Sequence, residues 1–253
     1  MWTEEQFIEL EQEERTLTDE AIVVMSLLLF KVKKNLEKEL RSFYQQYGKD
    51  GVVTYAEARK WISDKNHTRR LTALLLFINN EFQSTLPYLV DEFEDMLKSV
   101  IQKESDFFDV EVEDTKLLDK TWGEDVSTWL DRLDDDIDLW TTRVASDLKW
   151  SILQRKTLDE VLTKLDKRFD SIESAITTLG LSESTAIGSF ARQKIFKELG
   201  VSEYRFYTKA DERTCETCGA LHGLKFPMSA YEVGVTASPV HPRCRCWEVP
   251  ILE

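Results

Sequence analysis

All four cysteines of the chain fall in its last forty residues. Cys215 and Cys218 form "CETC", and Cys244 and Cys246 lie in "HPRCRCWEVP", with His241 three residues before Cys244. A Cys-x2-Cys turn lets two thiolates face one cation at tetrahedral geometry, and a second cysteine pair after an excursion of chain can complete the sphere. Zinc suits such a set best, because it accepts sulfur and nitrogen ligands and needs no redox partner. The expected ligands of a structural Zn2+ are therefore Cys215, Cys218, Cys244 and either Cys246 or His241. The segment between Gly200 and Glu253 is also short of large aliphatic side chains. Modules that small usually need a staple, and a metal is one.

Other chemistries fit the same residues less well. Disulfides need an oxidising compartment, which nothing else in the sequence suggests. A thioredoxin-like CxxC should precede a helix in an α/β unit, whereas Gly219 and a hairpin-like "ALHG" follow here. A cysteine nucleophile paired with His241 or His222 would be a lone activated thiol rather than one of a cluster. A zinc nuclease would want more histidines than the three present and a basic surface. His67 reads as an ordinary surface or cap residue. No catalytic constellation is expected.

The elements around this cluster change character along the chain. The 253 residues are 42% hydrophobic, with few glycines, and four of the five prolines come after residue 226. Long helices in front and a loop-and-strand region behind are the expectation, in one large domain or two smaller ones. The first twenty residues are acidic, so no signal peptide is expected. The longest apolar run, "AIVVMSLLLF" at 21–30, is about half the roughly 20 residues of a membrane span. A soluble intracellular protein is the expectation. The net charge is −14 and uneven: residues 104–138 hold fourteen acidic and three basic side chains, while 181–253 hold nine of each. No basic footprint supports tight nucleic-acid binding. The acidic run reads as a solvated helix face that could meet a basic partner.

Hydrophobic spacing predicts the individual helices. Thr18 reads as an N-cap, and Met25, Leu29, Val32, Leu36, Leu40, Phe43 and Tyr47 follow as one stripe up to Gly48. Thr54 and Glu57 form a capping box before Trp61. Leu71, Leu74, Ile78 and Phe82 lead to Pro87, and Leu89, Phe93, Leu97 and Val100 continue beyond it, as in one helix kinked or broken at the proline. Residues 105–114 read as a linker. A helix from about Thr115 would align Trp122, Val126, Trp129, Leu133, Ile137, Trp140, Val144 and Leu148 as a packed seam. The aspartates at 134, 135, 136 and 138 point around that helix rather than converging on a metal. Thr157 and Glu160 cap another helix ending at Gly180, and a last one runs from Ser184 to Leu199 with Gly200 as its cap. "EYRFYT" and "CWEVPIL" then read as strands. The fold class is mainly α: a long-helix bundle over 1–180, with a candidate break near 105–115, then a small α+β zinc-stapled module over 181–253.

The same C-terminal residues resemble a known family. "YRFYTKADERTCETCGALHGLKFP" followed by "HPRCRCWEVP" is similar to the C-terminal signature of the phage Mu F-like minor head, or head morphogenesis, proteins. Asp211, Arg213, Cys215, Cys218, Gly223, His241, Pro242, Cys244, Arg245 and Cys246 occupy the places of that pattern. The resemblance covers roughly 181–253, and departs from the pattern at Tyr207 and in the lead-in helix "IGSFARQ". It implies a minor structural protein of a tailed-bacteriophage head, in the virion and the infected-cell cytoplasm. Its implied partners are the portal oligomer and major capsid or scaffold protein, with a link to DNA delivery. DNA contact gains nothing from the acidic composition. The rivals from other classes are a Cys/His-dependent hydrolase or toxin-like enzyme, and a zinc module binding nucleic acid.

Overall fold

The computed structural model of the protein describes residues 2–53, 65–113, 116–123 and 126–252, with the side chains of 65–72 left out. The Thr54–Glu57 capping box and Trp61, like the side chain of His67, lie outside the described residues. In chain order the elements are α1 (Glu4–Tyr47), β1 (Gly48–Lys49), β2 (Val52–Val53), α2 (Lys65–Phe108), α3 (Trp129–Leu153) and α4 (Leu158–Glu198). They continue with β3 (Glu203–Thr208), α5 (Glu216–Leu221), β4 (Lys225–Pro227), a 3-10 turn at Met228–Ala230 and β5 (Cys246–Ile251). The protein is mainly helical with a small strand-containing region at its C-terminal end. No helix among the described residues is long and apolar enough to cross a membrane.

Several helix limits differ from those the spacing predicts. α1 starts fourteen residues before Thr18, at a capping box in which Thr3 N–H donates to Gln6 Oε1 at 2.8 Å and Gln6 N–H to Thr3 Oγ1 at 3.3 Å. Thr18 sits inside the helix, fully buried, its hydroxyl 2.8 Å from the Glu14 carbonyl and 2.6 Å from Ser184 Oγ. α2 runs through Pro87 without a break and ends at Phe108, where Asp109 takes a left-handed φ of 54°. The expected linker therefore begins only after 108. α3 starts at Trp129 rather than near 115, because Thr128 caps it: Asp131 N–H donates to Thr128 Oγ1 at 3.2 Å and Thr128 N–H to Asp131 Oδ2 at 2.9 Å. Trp122 and Val126 consequently leave the seam, and Val126 is 86% exposed. α4 passes through Gly180, whose cost inside a helix is about 1 kcal/mol. Burying Leu179 and Leu181 on either side outweighs it. The Thr157–Glu160 capping box and the Gly200 cap are as expected, with Gly200 at φ 71° and Val201 N–H closing back to the Phe196 carbonyl at 2.9 Å.

The chain forms two compact units. One comprises Val24–Val90 and Leu133–Ile176, and is a helical core. Met25, Val32, Leu36 and Leu40 of α1, Ile78 and Phe82 of α2, Leu133, Ile137 and Val144 of α3, and Val161 and Ile176 of α4 are nearly inaccessible. Polar contacts tie the helices at its edges, including Lys33 to Asp166 at 2.6 Å and Arg168 to Asp147 at 2.7 Å. Asp134, Asp135 and Asp138 face outward on α3.

The other unit comprises Met1–Val23, Asp91–Arg132 and Thr177–Glu253. Its sheet is antiparallel with order β4-β3-β5, Tyr204 facing Phe226 on one side and Pro250 on the other. This sheet does not stand apart from the helices. Tyr204, Tyr231 and Trp247 share a buried cluster with Phe7 of α1, Phe108 of α2 and Ile195 and Phe196 of α4. The C-terminal strands thus complete a core begun two hundred residues earlier. A second, smaller cluster joins Phe206 to Cys218, Cys244 and Cys246. The site is built there.

Candidate metal centre

Each ligand candidate is presented by a different local device. Cys215 is the N-cap of α5, so the CxxC does open a helix, though one of only six residues. Cys218 N–H donates to Cys215 Sγ at 3.4 Å, turning both thiols to the same side. Cys244 precedes β5 and Cys246 is its first residue. His241 sits in the loop before them, its Nδ1 2.8 Å from the Pro242 carbonyl. That contact leaves Nε2 facing the sulfurs, the orientation a ligating imidazole takes when its other nitrogen is held.

The five side chains converge. His241 Nε2 lies 3.3 Å from Cys215 Sγ and 3.2 Å from Cys218 Sγ, and Cys218 Sγ lies 3.8 Å from Cys244 Sγ. Two overlapping groups, Cys215–Cys218–His241 and Cys218–Cys244–Cys246, each have ligand atoms within 4.8 Å of one another, and both could hold a metal ion. Cys218 belongs to both. None of the four cysteines is in a disulfide. His222, the other candidate partner for a nucleophile, is turned away: its Nδ1 accepts from Thr208 N–H at 3.1 Å.

The thiols perturb one another strongly. Hydrogen bonding from the Cys246 side chain, against the cost of burial, brings Cys244 down to about 6. Burial, then the charge of Cys244, pushes Cys218 up to about 12. The backbone N–H of Cys218 lowers Cys215. Burial pulls His241 down, but its contact with Pro242 and the charges of Cys244 and Cys215 outweigh that and raise it. Four sulfurs this close cannot all ionise unless a cation joins them.

The loops carrying these ligands are fastened from outside the cluster. Asp211 and Arg245 form a two-pronged ion pair at 2.6 and 2.7 Å, joining the segment before Cys215 to the residue between Cys244 and Cys246. The Arg245 guanidinium holds Asp211 down at about 2. Arg243, at φ 60°, donates its N–H to Ser182 Oγ at 2.9 Å and its Nε–H to Thr178 Oγ1 at 2.8 Å, docking the second loop on α4. Arg213 N–H donates to Asp211 Oδ1 at 3.0 Å, Gly223 after α5 takes a left-handed φ of 78°, and the Pro242 carbonyl holds His241.

Sequence reasoning missed a second constellation nearby. Arg192 of α4, 2% exposed, is surrounded by Glu11 at 2.5 Å and Glu14 at 3.2 Å from α1, Glu104 at 2.5 Å from α2 and Glu248 at 3.9 Å from β5. Glu248 is itself held by Tyr231 OH at 3.1 Å, Ser189 Oγ at 2.9 Å and the Ser238 N–H at 2.6 Å. One guanidinium cannot neutralise four carboxylates. Burial accordingly raises Glu14 and Glu104, and brings Glu11 up to about 7 against the pull of Arg192. Glu104 belongs to the run expected to be a solvated acidic face. Among its described residues, the run 104–138 instead takes in the end of α2 and the start of α3, and its first member is fully buried. Glu183, also buried, accepts from the Trp122 indole at 3.1 Å and pairs with Arg132.

No curated protein and no solved structure matches this chain. A family match does exist and starts inside α3, earlier than the residue-181 start of the sequence resemblance. Over residues 143–249, which carry the thiol cluster, Arg192 and Glu248, the chain matches the family described as Phage Mu protein F like protein.

Proposed function

We propose that the protein is a minor structural protein of a tailed-bacteriophage head, associating with the portal oligomer, and with capsid or scaffold protein, during head assembly. The observation that carries the reading is the family match over residues 143–249. The residues of the sequence resemblance also have coherent structural work: Asp211 and Arg245 clamp the two loops whose cysteines and histidine converge. The protein acts by binding rather than by turnover. A cysteine nucleophile would need a thiol free of neighbours, and every thiol here lies in one of two overlapping donor groups.

The cluster holds one structural Zn2+ through Cys215, Cys218, Cys244 and His241, with Cys246 packed beside Cys244. A zinc–sulfur bond of about 2.3 Å gives a tetrahedral edge of about 3.8 Å. The Cys218–Cys244 separation of 3.8 Å supports that fit. The metal would neutralise the thiolates and join α5 to the start of β5; it would supply no reaction. His241→Ala should then lose the metal, and Cys246→Ser should keep it.

Co-expression with the portal and capsid proteins of the same phage, followed by size-exclusion chromatography, tests the role. Co-elution with a head component at low salt, weakening as salt rises because exposed acidic residues of 104–138 face a basic surface, is the expected result. Failure to co-elute with any head component refutes it. Hydrolytic activity lost in His241→Ala would establish the enzyme instead.

A further inference from the structure

The run "AIVVMSLLLF" is apolar on every side, yet only part of it serves the core. Met25 and Leu29 face inward at 0% and 3% exposure. On the other face of α1, Val23, Leu27 and Phe30 stand 58%, 61% and 50% exposed, with Val24 at 41% beside them. Residues three and four apart share a helix face, so Val23, Leu27 and Phe30 form one continuous ridge. The Lys34 ammonium lies over Phe30, 5.1 Å from the ring centre. An all-round apolar helix segment normally meets apolar surface on both faces.

The charges that continue this ridge identify what would cover it. Stepping by seven along α1 gives Glu13, Glu20, Leu27, Lys34 and Arg41. Acids lie on the N-terminal side of Leu27 and bases on the C-terminal side, at equal spacings. We propose that α1 is a self-association surface, pairing antiparallel with α1 of a second copy about a two-fold axis at Leu27. In that register Leu27 meets Leu27, Val24 meets Phe30, Glu20 meets Lys34 and Glu13 meets Arg41. Each contact occurs twice, as an isologous interface requires. A parallel pair would set Glu20 against Glu20 and Lys34 against Lys34, and so is disfavoured. Within one copy Glu13 already pairs with Lys103 at 2.6 Å and Lys34 with Glu37 at 2.9 Å. Lys34 and Glu13 are themselves exposed, at 52% and 59% of the side chain, and exchange partners at little cost. The overlap from 13 to 41 spans about 42 Å of helix. A single helix pair of that length lies near the low end of stable interfaces, so the association is concentration-dependent.

Sedimentation velocity on the full chain from roughly 1 to 200 μM tests this. The wild type should show a monomer–dimer equilibrium, and Leu27→Asp should abolish the dimer without changing the helical circular dichroism. Glu20→Lys should weaken it by about tenfold, since two attractive pairs become repulsive. Adding Lys34→Glu to Glu20→Lys should restore the wild-type constant, which only the antiparallel register centred on Leu27 explains. A monomer at every concentration overturns the proposal, as does a dimer indifferent to Leu27→Asp. A double variant no tighter than Glu20→Lys overturns it too. So does a wild type that stays monomeric while a co-expressed head component alone shields the ridge.

Discussion

The thiol cluster and the Arg192 cluster lie in the same compact unit and solve opposite problems. In the first, soft donors gather, four thiols and an imidazole. In the second, four carboxylates gather around a cation that the chain supplies itself. The thiol cluster is drawn from thirty-two residues of contiguous sequence, Cys215 to Cys246, and its loops are fastened from outside by Asp211, Arg245 and Arg243. The Arg192 cluster takes one or two residues from each of four distant elements. On the proposed reading, the first is a local staple completed by a metal. The second is a global knot that depends on the fold being complete.

That contrast predicts which substitutions do most harm. The largest effect belongs to Arg192→Leu, which leaves Glu11, Glu14, Glu104 and Glu248 facing one another without a guanidinium. Removing one partner of a buried ion cluster costs about 3–5 kcal/mol. The expected outcome is a fall of that order in chemical-denaturation stability, or failure to accumulate as soluble protein. A loss under about 1 kcal/mol would mean that the carboxylates are held as neutral acids without its help.

Cys218→Ser, which removes the residue common to both donor groups, should be more local. Limited proteolysis should open the segments around Ala210–Leu224 and Val240–Arg245, while the far-ultraviolet helical signal stays near that of the wild type. Chelator should do the same. The aromatic core of Phe7, Phe108, Phe196, Tyr204 and Trp247 does not include these loops. Loss of helix in parallel would show that the staple and the core melt as one.

A smaller, graded effect follows from pH. The carboxyls of Glu11, Glu14 and Glu104 are raised in the folded protein, Glu11 to about 7. A raised carboxyl binds its proton more tightly folded than unfolded, so its contribution is full below about 4.5 and is lost as pH rises through the folded value. Stability should therefore fall as pH goes from about 5 to 8, apart from any change at the thiols. Glu104→Gln, which keeps the shape and cannot ionise, should flatten that slope in chemical-denaturation midpoints. The opposite slope would mean that Arg192 keeps the carboxylates charged.

The smallest effect belongs to Asp211→Asn. It removes half of the clamp on the ligand loops without touching a donor atom, and substitutions of that kind weaken metal binding by about tenfold to a hundredfold. Competition against a chromophoric chelator measures it. Unchanged affinity would make the Asp211–Arg245 pair a surface feature with no part in positioning.

The same contrast explains what could be read from the sequence. The cysteine and histidine positions were legible because metal-donor chemistry is local in spacing and few other arrangements use it. The seam of Trp129, Leu133, Ile137, Trp140, Val144 and Leu148 was legible because helical periodicity is local too. Helix limits were read less well. Thr18 has the chemistry of a cap but is spent on Ser184, and Gly180 has the chemistry of a terminator but is enclosed by burial. Arg192 and its carboxylates were invisible. Nothing in "FARQK" or in an acidic N-terminus says that residues 11, 14, 104 and 248 meet. Only Glu248, alone among apolar neighbours in "CWEVPIL", gave a hint.

The proposed metal would join donors that come from two separate loops, Cys215 and Cys218 on one and His241, Cys244 and Cys246 on the other. Elemental analysis of the full chain, purified without chelator, tests it most directly. About one zinc per chain, released together with four newly reactive thiols on denaturation, is the predicted result. Less than about a tenth of an equivalent, with all four thiols freely alkylated in the folded protein, would contradict it.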